Sequence, residues 1–260
     1  MSVDGDVAVA VEHVWFGYRK AGSVLEDVDF RVPAGQSLAI LGYNGVGKTT
    51  LLNLIVGLLR PSKGRAVING KLIASVREVF ELTERSNLID SMSVRDNIRF
   101  RDLLFSGQGP ARPTPGMEHL DRERLVVAFG LAEHLDKRVD ELSSGLRKRA
   151  GLVAGLLFDP RLILLDEPTN SIDPLTRSLL LDCVGQLRGD GRTLVTVTHD
   201  LDYCWKVADR IIVLDDKRIA LDRMTHDFAD FDAFKKAATL GRQATHTDFG
   251  LTHDTATTIK

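Results

Sequence analysis

Apolar residues along the chain form short runs that alternate with amphipathic segments. The run SLAILG at 37–42 is uninterrupted and ends in glycine, which is typical of a strand buried inside a parallel sheet. Strands that alternate with helices in this way indicate a parallel sheet with helices on its faces. The predicted strands span 9–18, 23–32, 37–42, 64–70, 161–168, 193–199 and 210–216, and the predicted helices span 48–58, 94–105, 118–133, 143–158 and 174–187, with one more beginning near 201.

Two regions depart from this alternation. Residues 85–158 are mostly helical, which predicts an inserted helical subdomain, and their loop at 106–116 carries three of the eight prolines. The last 20 residues contain six threonines and few apolar residues, which predicts a weakly ordered tail. Just before that tail, we expect Phe228, Phe231 and Phe234 to line a helix that docks on the core.

Composition narrows the functions that are open to the chain. The 34 Lys and Arg residues nearly balance the 36 Asp and Glu residues, so no nucleic-acid partner is expected. Cys183 and Cys204 lie outside any metal-ligand pattern, and we expect both to be packing residues in a reducing compartment. The N-terminus lacks the segments of a signal peptide, and no apolar run is long enough to span a bilayer. Any role at a membrane is therefore expected to come through a partner.

A glycine-rich segment, GYNGVGKT, follows the predicted strand at 37–42 and opens the next helix. Four residues separate Gly42 from Gly47, and Lys48 and Thr49 follow. In this context glycines let main-chain N–H groups face phosphates at the positive end of a helix. Lys48 is then expected to reach the β- and γ-phosphates of a nucleotide, and the Thr49 hydroxyl to bind Mg²⁺. The alternative is a plain strand–turn–helix loop.

A second candidate site follows the apolar strand LILLDEP, which ends in Asp166 and Glu167. The carboxyl end of a parallel strand faces the ligand crevice, and adjacent residues on a strand point opposite ways. Asp166 is therefore expected to hold Mg²⁺ through its water shell, and Glu167 to orient and polarise the attacking water. The alternative is a solvated strand end before a turn.

Two further residues lie near that crevice. His199 ends the next predicted strand, where a contact with the γ-phosphate is possible, although a lone histidine is usually structural. Asp173 precedes Pro174 and fits a helix N-cap, a role that is compatible with a place beside the site. The segment ELSSGLRKRA also opens a helix, and by itself Ser143 or Ser144 would be an ordinary N-cap.

The order of five segments, GYNGVGKT, LSSGL, LILLDEP, SID and TH, resembles the ATP-binding-cassette (ABC) ATPases over about residues 8–222. This resemblance implies an α/β fold of the P-loop NTPase class, with a RecA-like parallel sheet core, an N-terminal antiparallel β subdomain and an inserted α-helical subdomain. The implied domains are an ATPase domain at 1–222, with its helical insert at about 85–158, and a C-terminal helix and tail at 223–260.

The resemblance also implies a site that is shared between two cassettes. Ser143 and Gly145 would donate hydrogen bonds to the γ-phosphate bound by a partner cassette. Tyr18 matches the aromatic residue that stacks on adenine, with a packed strand aromatic as the alternative. The implied ATP-binding residues are Tyr18, Gly42, Asn44, Gly45, Gly47, Lys48, Thr49, Thr50, Ser143 and Gly145, the implied catalytic residues are Lys48, Glu167 and His199, and the implied Mg²⁺ residues are Thr49, Asp166 and Glu84.

Three positions depart from the family pattern. The segment SSGLRKR carries Ser144 and Leu146 where glycine and glutamine are usual, and resembles the forms seen in exporters. The third departure is Glu84, which lies 13 residues before Asn97, where the family has a glutamine. A carboxylate there would either bind Mg²⁺ or point away, and a solvated loop glutamate is the alternative.

The function that the resemblance implies is ATP hydrolysis that powers transport through a separate membrane permease. Export is expected from the signature segment, SSGLRKR, alone. ATP and Mg²⁺ are the expected cofactors. The expected partners are the permease and a second ATPase subunit, in a homodimer rather than a heterodimer, at the cytoplasmic face of the membrane. The alternatives are a non-transport ABC protein and a weakly hydrolysing regulatory subunit.

Overall fold

Two sheets form the frame of the molecule in the computed structural model, which describes residues 6–19, 22–83, 87–105 and 117–242. The antiparallel sheet has the order β2-β1-β4 and consists of β1 (Val7–Tyr18), β2 (Gly22–Pro33) and β4 (Lys63–Ile68). The second sheet has the order β5-β6-β7-β3-β8-β9 and consists of β3 (Ser37–Leu41), β5 (Val79–Leu82), β6 (Leu162–Asp166), β7 (Thr193–Thr198), β8 (Arg210–Asp215) and β9 (Arg218–Met224).

Helices cover both faces of the six-stranded sheet, in which β5, β6, β7, β3 and β8 run parallel and β9 runs antiparallel to β8. The first helix and the antiparallel sheet share one hydrophobic core, and the remaining helices share the other. The helices are α1 (Lys48–Ile55), α2 (Val94–Phe105), α3 (Arg124–Ala128), α4 (Ser144–Leu156), α5 (Pro174–Gly189), α6 (Leu201–Val207) and α7 (Phe231–Ala238).

Alternation along the central strands decides which side chains reach which core. On β6, Leu162 and Leu164 pack in the core that contains α1, whereas Ile163 and Leu165 pack in the core on the opposite face. Successive side chains on a strand point to opposite faces. Asp166, the last residue of β6, is therefore in phase with Leu164 and faces α1.

The fold class predicted from the sequence is confirmed, with three local corrections. The strands β5 and β9 were not predicted. The helix predicted at 118–133 is wrong as a single helix, because the chain breaks at His119 (φ −121°) and turns at Gly130 (φ +64°), which leaves only α3 and short 3-10 turns. The boundaries proposed at 85, 158 and 222 stay predictions.

The C-terminal helix α7 packs against α6 through an aromatic cluster. Phe234 is fully buried, and its ring lies 5.2 Å from the Trp205 ring and 5.5 Å from the Phe228 ring. Phe231 stacks on Phe234 at 6.0 Å. These contacts hold α7 on the core as expected, but Phe228 precedes α7 and packs against it instead of lining it. In the described residues, no helix combines the length and apolar composition that a bilayer crossing requires.

Both cysteines are packing residues. Cys204 on α6 is fully buried, and Cys183 on α5 is largely enclosed in the same core. Burial raises the pKa of the Cys183 thiol to about 11 and raises that of Cys204 well above its ordinary value. Both thiols are therefore protonated at neutral pH.

Candidate active site

The loop between β3 and α1 needs glycine at three positions. Gly45 and Gly47 have φ angles of +83° and +109°, in the left-handed region that strains any residue with a Cβ atom. A Cβ atom at Gly42 would lie 2.7 Å from a methyl carbon of Val46 and 2.8 Å from the Leu214 carbonyl oxygen. The sequence GYNGVGKT therefore encodes a tight turn whose main chain approaches its surroundings closely.

Helix α1 begins directly at the end of this loop with its positive end uncovered. Its N-cap is Gly47, which has no side chain to bond the first N–H groups, and its first turn contains no acidic residue. The first N–H groups of a helix have no partner within the helix, and its dipole favours a negative charge there. The start of α1 can therefore receive a phosphate group.

The ammonium group of Lys48 is buried, with the residue only 6% exposed, and lies between the loop and an acid. It donates to the carbonyl oxygens of Gly42 at 2.8 Å and Tyr43 at 3.3 Å. It also forms an ion pair with Glu167 Oε1 at 3.2 Å. A buried cation is costly unless it is paired and hydrogen-bonded, and Lys48 meets both conditions.

Thr49 and Asp166 form a second pair beside Lys48. The Thr49 hydroxyl donates to Asp166 Oδ1 at 3.2 Å, across the gap between α1 and the end of β6. A hydroxyl and one carboxylate fit Mg²⁺, which prefers oxygen ligands and is bound by one or two carboxylates together with nucleotide phosphates. Within the described ranges, no cluster of three or more His, Cys, Asp or Glu residues could hold a metal without such phosphates.

Glu167 has a partner on each carboxylate oxygen. Oε1 faces Lys48, and Oε2 lies 3.0 Å from Nδ1 of His199. The main chain of Glu167 is left-handed, with φ +45°, so it leaves the path of β6 immediately after Asp166. The two adjacent acids therefore hold different positions, as alternation along a strand predicts.

A cleft of about 530 Å³ opens beside the loop and collects most of the predicted nucleotide-binding residues. Its volume falls within the range of small-molecule sites, about 300–1,000 Å³. Tyr18 lines the cleft with 44% of its surface exposed, and its hydroxyl lies 3.3 Å from Thr50 Oγ1. The predicted residues that line the cleft are Tyr18, Asn44, Gly45, Gly47, Lys48, Thr49, Thr50 and Glu167.

Ser143 and Gly145 lie at the start of α4 and do not line this cleft. Ser143 is the N-cap, and its hydroxyl accepts the N–H of Leu146 at 3.3 Å. A Cβ atom at Gly145 would lie 2.7 Å from Asp173 Oδ2, so a side chain there would displace that carboxylate. Ser143 therefore has the ordinary capping role. Any phosphate that contacts Ser143 or Gly145 must be bound outside this cleft.

Asp173 and its neighbours fasten the start of α4 to the start of α5. Asp173 caps α5 by accepting the Thr176 N–H at 2.9 Å, and Arg149 lies 3.5 Å from its carboxylate. The Ser144 hydroxyl donates to the Ser171 carbonyl at 3.2 Å. Hydrogen bonds from the hydroxyl and the N–H of Thr176 lower the pKa of Asp173 to about 2. The carboxylate is therefore ionised at any physiological pH.

The structure places an unpredicted acid beside Asp166, while the predicted Glu84 lies outside the described residues. Glu81 on β5 pairs with Leu164 on β6, so Glu81 and Asp166 point to the same face of the sheet. Burial, and then the charge of Asp166, raise the pKa of Glu81 above its ordinary value. No local pattern in 79–82 (VFEL) signals this strand, because the segment is short and Glu81 interrupts its apolar residues.

Comparison with known proteins identifies the family. Residues 25–170, more than half of the chain, match the profile of the ABC transporter family. This chain belongs to that family. It is the ATP-binding subunit of an ABC transporter, and the activity of such a subunit is ATP hydrolysis.

Individual relatives agree with this placement. The chain is 38% identical over 209 residues, 80% of its length and 71% of the relative's, to an aliphatic sulfonates import ATP-binding protein of Pseudomonas aeruginosa. A protein of the same description from Agrobacterium fabrum is 35% identical over 221 residues, 84% of this chain and 80% of the relative.

Solved structures of ABC subunits share the fold. The ATP-binding subunit of an ABC transporter superposes with a TM-score of 0.75 at 26% identity, covering 89% of this chain and 99% of that one. A bacterial ABC transporter cassette solved as a dimer superposes with a TM-score of 0.70 at 26% identity, covering 84% of this chain and 98% of that one.

Proposed function

We propose that this chain closes with a second ABC cassette around ATP, hydrolyses it, and thereby powers import through a separate membrane permease. One observation carries the hydrolytic role. Glu167 is held between Lys48 and His199, beside the Thr49–Asp166 pair and at the uncovered start of α1. This arrangement combines an anion site, a metal site and a candidate general base within one cleft.

Import is the direction that the relatives support. Both relatives described above are named as import proteins, and each matches this chain over more than 200 residues. The expectation of export came from the few residues of the signature segment and has no support from these relatives. Aliphatic sulfonates, which those names state, are the substrate class to test first. The subunit would act at the cytoplasmic face of the membrane, as a homodimer bound to the permease.

The contacts of Lys48 suggest how ATP prepares the base. A γ-phosphate at the start of α1 would compete with Glu167 for the Lys48 ammonium group, because both are anions within its reach. Glu167 Oε1 would then be free to accept a proton from the attacking water, while His199 keeps its bond to Oε2. His199 would also lie close enough to contact the phosphate.

Thr49 and Asp166 are the residues that would hold Mg²⁺, the first through its hydroxyl and the second through its carboxylate or a bound water. The ion would neutralise charge on the transferred phosphoryl group. Asp166 is already oriented by the bond from Thr49 and by the end of β6. The chain therefore presents a preformed pair of oxygen ligands at this position.

The remaining predicted residues complete the nucleotide site. Tyr18 would stack on adenine, since it is an exposed aromatic on the cleft wall. Asn44, Gly45 and Thr50 line the same cleft near the phosphate loop. Ser143 and Gly145 would contact the γ-phosphate bound by the partner cassette, because the start of α4 carries no acid in its first turn.

The decisive test replaces the base and keeps its shape. Glu167→Gln should bind ATP as the wild type does, lose at least about 100-fold in turnover, and accumulate as an ATP-bound dimer. Turnover is measured by phosphate release, binding by nucleotide titration, and dimerisation by light scattering. Glu133→Gln, on an exposed turn, is the matched control and should behave as the wild type.

Two results would contradict parts of this proposal. Near wild-type turnover in Glu167→Gln would remove Glu167 as the base. A wild type as slow as Glu167→Gln would favour the weakly hydrolysing regulatory alternative. Direction is tested separately, by uptake of a labelled aliphatic sulfonate into proteoliposomes that contain the subunit and its permease.

A further inference from the structure

We propose that Lys148 is a positioning residue for ATP hydrolysis, which holds the main chain of Glu167 in register with the start of α4. The inference rests on the proposed role of Glu167 as the general base. It assigns a function to a residue on α4, the helix that begins within the signature segment. Lys148 belongs to neither the phosphate loop nor the acidic pair.

Lys148 is buried in the core beneath α4, with only 5% of its surface exposed. Lysine is almost never buried to this extent without a partner. Its ammonium group donates to the main-chain carbonyl oxygen of Glu167 at 3.2 Å, 19 residues further along the chain. The long side chain thus joins the middle of α4 to the residue that carries the candidate base.

The main chain of Glu167 needs such support because it is left-handed at a residue with a Cβ atom. A conformation of this kind persists only where the surroundings hold it, and it is frequent at active sites. The Glu167 N–H donates to the Val197 carbonyl at 2.9 Å, and the Glu167 carbonyl also accepts the Asn170 N–H at 3.1 Å. Lys148 is the charged donor in this set, and a hydrogen bond from a charged donor is stronger than one of the same geometry from a neutral donor.

The direction of the Glu167 side chain follows from this main chain. With its N–H and carbonyl fixed, the carboxylate reaches Lys48 on one side and His199 on the other. A rotation about the N–Cα bond of Glu167 would move its carbonyl and its side chain together and displace both contacts. Catalysis by a positioned base is sensitive to displacements of about 1 Å, which can cost about 100-fold in rate.

The same helix touches the segment after β6 at further points. Ser144 bonds to Ser171, and Arg149 donates to the Thr176 hydroxyl at 2.7 Å. Lys148 lies one helical turn beyond Ser144, on the helix whose start is proposed to meet the partner's phosphate. Movement of α4 would therefore change the position of Glu167. Contact of α4 with the nucleotide bound by the partner would then alter the general base of this chain's own site.

Three substitutions test the proposal. Lys148→Met keeps the apolar stem and removes the donor, so it should lower kcat at least about tenfold and change the Kd for ATP less than about twofold. Lys148→Arg keeps a charged donor and should recover much of the rate. Lys206→Met, at an exposed position on α6, is the matched control and should leave both constants unchanged. The Hill coefficient for ATP should fall towards 1 in Lys148→Met.

The readouts separate this idea from its alternatives. A purely structural role would lower the melting temperature and weaken ATP binding together, whereas a positioning role lowers kcat with both preserved. If Lys148→Met does not fold, Lys148→Leu, which also lacks a donor, takes its place in the same comparison. Wild-type kcat and Hill coefficient in a folded variant would overturn the inference, even while Glu167→Gln remained inactive. Full activity in Glu167→Gln would instead overturn the proposed function first.

Discussion

Helices α1 and α4 begin differently from helices α5, α6 and α7. Helices α5, α6 and α7 each start on an aspartate N-cap, at Asp173, Asp200 and Asp230, whereas α1 starts on Gly47 and α4 on Ser143. Neither α1 nor α4 has an acid in its first turn. An acid at a helix start adds about 0.3–1 kcal/mol of stability. The chain forgoes that gain at the two helices that are proposed to meet phosphate.

The two helix starts also differ from each other. Around α1 the chain gathers four candidate groups in two contacting pairs, Lys48 with Glu167 and Thr49 with Asp166. Around α4 the contacts described above run to the chain's own residues at 167–176, which hold the helix in place. The first region brings its groups together within one chain, whereas the start of α4 is proposed to meet an anion that is bound by a second chain. Hydrolysis is therefore expected to depend on both, but in different ways.

The largest effect is expected at α1. Lys48→Ala should lower turnover at least about 100-fold and weaken ATP binding as well, because Lys48 is proposed to supply the positive charge at the phosphate position. Phosphate release and nucleotide titration measure the two effects, and Lys71→Ala, at an exposed position, is the control. Loss of turnover with unchanged ATP affinity would place Lys48 outside the ground-state phosphate contacts.

A charge at α4 should act only between chains. Ser143→Asp keeps a good N-cap and adds a negative charge, so the folded subunit and its ATP affinity should be preserved. Dimerisation and turnover should fall about 10- to 100-fold, because like charges repel at the partner's phosphate. Ser143→Asn is an equally good cap without charge and should have a much smaller effect.

Mixed dimers test the sharing of the site directly. One Lys48→Ala subunit paired with one Ser143→Asp subunit places both defects in one composite site and leaves the other intact. The mixed dimer should therefore be more active than either pure variant. Equal inactivity of all three would count against a shared site, provided that wild-type dimers tolerate one inactive site.

A smaller effect is expected at the edge of the α1 site. Tyr18→Ala should raise the KM for ATP about tenfold with little change in kcat, since aromatic stacking on a base is worth about 1–3 kcal/mol. Tyr18→Phe keeps the ring and should behave as the wild type. An unchanged KM in Tyr18→Ala would leave Tyr18 as a packing residue against Phe16, whose ring lies 4.9 Å away.

The smallest effect concerns stability at the acidic side of the same site. The pKa of Glu81 is raised by burial and by Asp166, so its ionisation destabilises the fold as the pH rises through that raised value. In EDTA without nucleotide, Glu81→Gln should be more stable than the wild type at pH 8, by less than about 1 kcal/mol after solvent screening. The difference should vanish below the ordinary value of 4.5. Equal urea midpoints at pH 8 would contradict this sign.

Most of the α1 site could be predicted from the sequence because its signals are local. Gly42, Gly47, Lys48 and Thr49 lie within eight residues, between a recognisable strand and helix. The acidic pair was equally clear, since an uninterrupted apolar run ends at Asp166. Such signals need no knowledge of distant contacts.

The errors arose where distant contacts decide the structure. β5 is four residues long and forms only by pairing with β6, so its polar residue Glu81 hid it from a search for apolar runs. β9 (RIALDRM) shows no regular alternation of apolar and polar residues and depends on the turn at Asp216 and Lys217, both with positive φ. The contact of Lys148 with Glu167 spans 19 residues and has no local signal at all.

The enclosed cysteines make the chain a convenient subject for spectroscopy. With a pKa of about 11, the Cys183 thiol is only about one part in 10,000 thiolate at pH 7, and Cys204 is deeper still. Maleimide reagents should therefore react slowly with both, and the unsubstituted chain serves as the control for background labelling. Leu175 is 62% exposed and lies in the segment at 171–176 that α4 contacts. A cysteine introduced there would be the preferred labelling site. Spin or dye labels there would report, as an interlabel distance, how closely two subunits approach when ATP is added.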